Sequence, residues 1–209
     1  MYPFDGTLSR ALGAAPPEGR APGSVATAER AGHALRMADL ARIPPRDGQG
    51  AVRVVVESPR GAIVKLKYDA ALEVMSVSRP LPLGLSYPYD WGFVPGTRAA
   101  DGDPVDALVY WDVESFPGVV VPCRAIAVVR LEQDSKTNGR VRNDRILAVP
   151  VKHARGTLVK SADDLPARVK DEIAQFFLSA IFFEPKNPSI LGWGGPDEAD
   201  RLVDSSRIG

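Results

Sequence analysis

One cysteine and two histidines in 209 residues leave little material for soft-metal chemistry. Cys123 has no partner for an internal disulfide, and so few Cys and His side chains cannot assemble a standard zinc site. No apolar run approaches the roughly 20 residues that cross a bilayer, so no membrane partner is expected. The N-terminal stretch MYPFDGTLSRALGAAPPEGR lacks a cationic start followed by an apolar run. It does not read as a signal peptide, and a reducing cytoplasm is the expected setting. Net charge is missing too, with 26 basic against 26 acidic residues, which argues against a nonspecific nucleic-acid binder. Neither a Gly-rich phosphate loop ending in Gly-Lys-Ser/Thr nor a G-x-S-x-G elbow is present.

The chain is long enough for one domain with a core and an appendage. Residues 1–48 are rich in Ala, Gly, Pro and Arg and poor in large apolar side chains. They read as an arm, flexible or packed on a neighbouring subunit, with one short helix over 26–41 ended by Pro44 and Pro45. Residues 49–209 form the domain. β-branched and alternating segments predict strands over 52–56, 63–66, 72–77, 107–111, 119–131 and 146–151, separated by Gly and Pro clusters. Cys123 lies within VVVPCRAIAVV, as a buried strand residue would. Many short strands without intervening helices favour a closed antiparallel barrel. Ser161 caps a helix predicted to run to about residue 183, with Val169, Ile173, Phe176 and Phe177 as its core-facing stripe. Residues 187–209 read as an irregular tail.

Chemistry concentrates in Asp101-Gly102-Asp103-Pro104-Val105-Asp106. Three carboxylates in six residues repel unless solvent or cations separate them. Asp-Gly and Asp-Pro are ordinary turn formers, so a solvated turn is one reading. The other is a pocket of hard oxygen ligands suited to Mg²⁺ or Mn²⁺. An EF-hand loop does not fit, because its sixth position needs Gly where this chain has Asp106.

Context adds Glu57-Ser58-Pro59-Arg60, then Lys65, Arg79 and Tyr87-Pro88-Tyr89-Asp90-Trp91-Gly92. Together with D-G-D-P-x-D, the strand PCRAIAV and the helix carrying IAQFF, these residues resemble the soluble family I inorganic pyrophosphatases over about residues 50–180. The resemblance implies an α+β, mainly β fold: a five-stranded antiparallel OB-like closed barrel with flanking helices. It also implies a homo-oligomer and Mg²⁺-dependent hydrolysis of pyrophosphate, with Mn²⁺ as a substitute. Carried over, Asp101, Asp106 and Glu57 would hold metal, and Asp103 would be the general base. Lys65 and Arg79 would hold phosphoryl oxygens, and Tyr87 would stand beside the metals.

The pattern departs from the family inside the site. Lys67 stands where the family has glutamate, and Trp91 where it has a phosphate-binding tyrosine. The family's D-x-K segment is Asn143-Asp144-Arg145 here. Asp144 would replace the lost ligand only through a one-residue shift, while Arg145 keeps the substrate-binding charge. Asp134 corresponds to the remaining acidic ligand, across a loop about four residues longer. Ala180 and Ile181 occupy the positions of a phosphate-binding Tyr-Lys pair, for which Lys186 would have to reach back. Three readings follow: a divergent pyrophosphatase, a hydrolase of another phosphoester or phosphoanhydride with an organic group near Trp91, Ala180 and Ile181, or a non-catalytic paralogue that binds metal, phosphate or a protein.

Overall fold

The structure, a computed structural model, describes residues 39–135, 139–154 and 158–209. Most of the helix expected over 26–41 falls outside these residues. Its last positions enter a single 3-10 turn, Leu40–Arg42, capped by the Asp39 side chain accepting from Ala41 N at 3.0 Å.

Nine strands are described: β1 Val52–Ser58, β2 Val64–Asp69, β3 Val74–Pro80, β4 Asp90–Phe93, β5 Asp106–Val109, β6 Val120–Ser135, β7 Gly139–Arg142, β8 Arg145–Pro150 and β9 Ser189–Gly194. Five of them pair in a cycle, β1 to β4 to β5 to β8 to β6 and back to β1. Four of these pairings are antiparallel and one, β5 with β8, is parallel, which corrects the all-antiparallel expectation. Between those two strands the chain runs out along β6 and back along β7, a connection long enough to return in the same direction. Strands β7 and β9 pair with β6 outside the cycle, and β2 with β3 forms a separate two-stranded sheet.

Strand β6 reaches all these partners by bending. Its register against β8 shifts between Ala125 and Ala127, with Ile126 as the extra residue, and its register against β9 shifts at Arg130 and Leu131, where the extra residue is Leu191 of β9. Such bulges increase local twist. Its first residues therefore pair with β1, its middle with β8 and its end with β7 and β9.

Strands β1, β4, β5 and β8 are buried almost throughout because both their faces are covered, whereas β2, β3 and β7 are partly exposed and carry polar residues. Ala107 and Val109 of β5 and Ala148 of β8 belong to one core cluster, whereas Leu108 and Leu147 belong to a second; Val55, Tyr68 and Phe93 form a small third. Helix α1, Ala167–Ala180, packs Ile173, Phe176 and Phe177 on the second cluster. It starts later than expected. Ser161 caps only a 3-10 turn, Ala162–Asp164, and Leu165, preceding Pro166, is forced into an extended conformation. It also ends earlier, at Ala180, leaving Phe182 and Phe183 exposed.

The tail is not irregular. It holds β9 and helix α2, Pro196–Ser205, whose Ala199 and Val203 complete the first cluster. Arg130 clasps Glu198 through two bonds of 2.8 and 2.6 Å. Cys123 is fully buried and burial pushes its thiol pKa up, so it is an inert strand residue as expected. No helix among the described residues is long and apolar enough to cross a membrane.

Gly92 of β4 lies opposite Val56, where a Cβ would run into the Val55 carbonyl and stand 2.9 Å from Val56 Cα. Backbone atoms cannot step aside. Gly92→Ala is expected to lower unfolding free energy by about 3 kcal/mol, measured by urea denaturation; a change under about 1 kcal/mol would refute this close approach.

Candidate active site

The acidic loop joins β4 to β5 and is anchored from below. Thr97, buried, donates its hydroxyl to Val94 O (2.6 Å) and accepts from Val105 N (3.0 Å). Arg98 N donates to Ser206 O at 2.7 Å and Ile208 N to Gly96 O at 3.0 Å. At the tip, Gly102 has φ +91°, open to glycine at little cost. The Asp101 carboxylate accepts from Asp103 N at 3.2 Å, closing the turn. Asp106 opens β5.

Sheet pairing brings the other groups to this loop. The parallel register sets Arg145, first residue of β8, beside Asp106, and the two form an ion pair. Arg145 also donates to the Asn143 side chain, and its guanidinium carbon lies 5.3 Å from the Trp91 ring centre. Glu57 sits at the register shift of β1 between Val56 and Ser58, which turns its side chain inward. It is buried and accepts from Tyr68 N at 2.8 Å. Lys65 lies opposite Arg79 across the β2–β3 hairpin.

The result is a cavity of about 230 Å³ lined by Glu57, Asp101, Asp103 and Asp106 together with Lys65, Lys67, Arg145, Lys186 and Asn143. Lys67 donates to both oxygens of Asp103 at 3.0 Å. Burial, with the charge of Asp106 behind it, pushes the Glu57 pKa up to about 7 despite the Tyr68 amide. Burial and the neighbouring Asp106 and Asp103 likewise hold Asp101 above the ordinary carboxylate range. Burial lowers the Lys65 pKa, opposed by Asp106. Among the described residues, no three Asp, Glu, His or Cys side chains gather closely enough to form a ready metal cluster.

Arg79, Tyr87 and Trp91 border an adjoining niche of about 40 Å³, shared with Lys65, Arg145 and the α1 residues Phe176, Phe177 and Ala180. Burial pushes the Tyr87 pKa up to about 12, so the phenol keeps its proton at neutral pH. Arg79 is drawn to Glu184 at 3.2 Å. The Trp91 indole nitrogen is buried without a hydrogen-bond partner among the described residues.

The other two expected ligands are each paired with an arginine. Asp144 accepts from Leu131 N (3.0 Å) and pairs with Arg142 (2.7 Å), so no one-residue shift occurs and Asn143 is the residue that lines the cavity. Asp134 pairs with Arg140 at 3.1 Å and borders a second cavity, which it shares with Asp101, Asp103 and Lys186. Sequence reading missed Gln133, which borders that second cavity, is 4% exposed and has a side-chain oxygen with no partner among the described residues. Alternation along β6 could have found it: Val129 and Leu131 are core residues, and Gln133 follows them on the same face.

Carboxylates and fixed cations facing one another across one cavity are the equipment of a hydrolase that handles a small polyanion. The chain belongs to the inorganic pyrophosphatase family, whose model matches residues 54–208. That span includes the tail, beyond the 50–180 read from motifs. Among its relatives is an inorganic pyrophosphatase of Nostoc sp., 40% identical over 168 residues, covering 80% of this chain and 96% of that one. Another, from Synechocystis sp., is 40% identical over 166 residues, covering 79% and 95%. The crystal structure of the inorganic pyrophosphatase from Thermus thermophilus superposes with a TM-score of 0.74 at 32% identity, covering 81% of this chain and 97% of that one.

Because the folded protein holds a proton on Glu57 that the unfolded chain releases above about pH 4.5, metal-free protein loses stability as pH rises from there through about 7. Glu57→Gln keeps the bond from Tyr68 and removes that loss. In chelator-treated solution the variant is expected to exceed the parent by about 2 kcal/mol near pH 8 and not near pH 4.5; urea midpoints that shift in parallel across this range would contradict the buried, proton-holding Glu57.

Proposed function

We propose that the protein hydrolyses inorganic pyrophosphate to two phosphates with a divalent cation, Mg²⁺ or Mn²⁺, and that Asp103 is the general base. The observation that carries this reading is the convergence of Glu57, Asp101, Asp103 and Asp106 with Lys65 and Arg145 in one cavity of a pyrophosphatase-family chain. The cycle of five strands that supports the cavity we take to close as an OB-like barrel.

The donor set fits a hard cation: the candidate ligands are all oxygens, and Asp101 and Glu57 are both held above the usual range by burial and crowded negative charge. Asp101 and Asp106 would hold the ion, with Glu57 in support. When bound, it would lower the pKa of water and neutralise phosphoryl oxygens.

The protein's own groups do the rest. Asp103, with 59% of its side chain exposed, takes the proton of the attacking water and can return it to solvent. Arg145 and Lys65 hold phosphoryl oxygens from the buried side. Arg79, with 22% of its side chain exposed, joins them when it leaves Glu184. The niche behind Trp91, about 40 Å³, is far below the roughly 300–1,000 Å³ of pockets that enclose organic ligands. A nucleoside or sugar does not fit there, which favours a bare inorganic anhydride over an organic phosphoester.

Phosphate release from pyrophosphate, followed with malachite green, is expected with Mg²⁺ or Mn²⁺ and is expected to disappear with a chelator. Nucleotides and sugar phosphates should yield none. Asp103→Asn should lower kcat by about 10²–10⁴ while the melting temperature stays within about 3 °C; full turnover in that variant would remove Asp103 from the mechanism.

A further inference from the structure

The main cavity's four acidic side chains face four basic ones, so their formal charges balance before any ion enters. These cations differ in how firmly they are held. Arg145, with 10% of its side chain exposed, is pinned by Asp106 and Asn143 and lies over Trp91. Lys67 is different. Its side chain is 47% exposed, on the β2–β3 hairpin, and its ammonium reaches across to Asp103, itself 59% exposed. Exposed pairs of this kind hold weakly, and a lysine stem is long and flexible.

We propose that Lys67 is a tethered competitor of the divalent cation: its ammonium, held on Asp103, stands in the same cavity as the Asp101 and Asp106 carboxylates that would take the ion, so that loading the site requires Lys67 to swing out. The proposal rests on the reading of the acidic loop as a cation site, and it adds a device that sets how much metal the site needs. Lys67 donates to both Asp103 oxygens, leaving no oxygen of that carboxylate free of it. Asp101 and Glu57, by contrast, form no salt bridge among the described residues and are open to an incoming ion. An ammonium a few ångströms from a doubly charged ion also repels it across a partly desolvated cavity. The metal therefore works against both the pair and the like charge.

The test is titration of the purified full chain with Mn²⁺ alone, followed by calorimetry or by the spin resonance of free Mn²⁺, without substrate. Lys67→Met keeps most of the apolar stem and removes the charge, and Lys67→Arg keeps the charge; melting curves check that both fold. The Mn²⁺ Kd is expected to fall about tenfold or more in Lys67→Met and to stay within about threefold of the parent in Lys67→Arg. Equal Kd values for parent and Lys67→Met would overturn the competitor while leaving the cation site in place. Absence of Mn²⁺ binding in parent and Lys67→Met alike would overturn both.

Discussion

Carboxylates confined together in a partly dry space have to be compensated, and that requirement organises this molecule around its acidic loop. Asp101, Asp103 and Asp106 are fixed by a turn that leaves them few ways to separate. Compensation comes from places far away in sequence, and the sheet is what delivers it. Parallel pairing sets Arg145 against Asp106, the register shift in β1 turns Glu57 inward, and the β2–β3 hairpin extends Lys67 over Asp103. At Asp101 and Glu57, which form no salt bridge among the described residues, burial and then neighbouring carboxylate charge raise the proton affinity. Those two positions are where a mobile cation gains most.

Local chemistry made much of this site readable in the sequence. The acidic hexapeptide, Glu57, Lys65 and Arg145 share one cavity because each lies in or beside a strand whose apolar residues announce it. What stayed hidden depended on register. Asp134 and Asp144 attracted attention as carboxylates, yet each is paired with an arginine, Arg140 and Arg142; Asn143 lines the main cavity in place of Asp144, and Gln133 borders the second cavity beside Asp134. A one-residue slip in a strand exchanges its faces, so charge alone is a poor guide where alternation is available.

The fold shows the same division. Apolar runs announced six of the strands, but β4, β7 and β9 are short or glycine-bearing and are made by pairing rather than by their own composition. The parallel β5–β8 contact has no local signature at all. In α1, the phenylalanine stripe was legible and its boundaries were not, because Pro166 acts through the conformation of the residue before it. The tail read as loop because SILGWG carries two glycines, although it pairs with β6 and is followed by a helix that enters the core.

The anchoring beneath the acidic loop ties catalysis to an unexpected part of the chain. Gly96, Thr97 and Arg98 bond to residues 206–208, and Thr97 in turn holds Val105, one residue from Asp106. The final turn thus serves as a foundation stone: it touches no ligand, yet the curvature of the loop is set upon it. Loss of residues 206–208, or a pull that draws them outward, would blunt the pocket from behind while every residue inside it stayed intact.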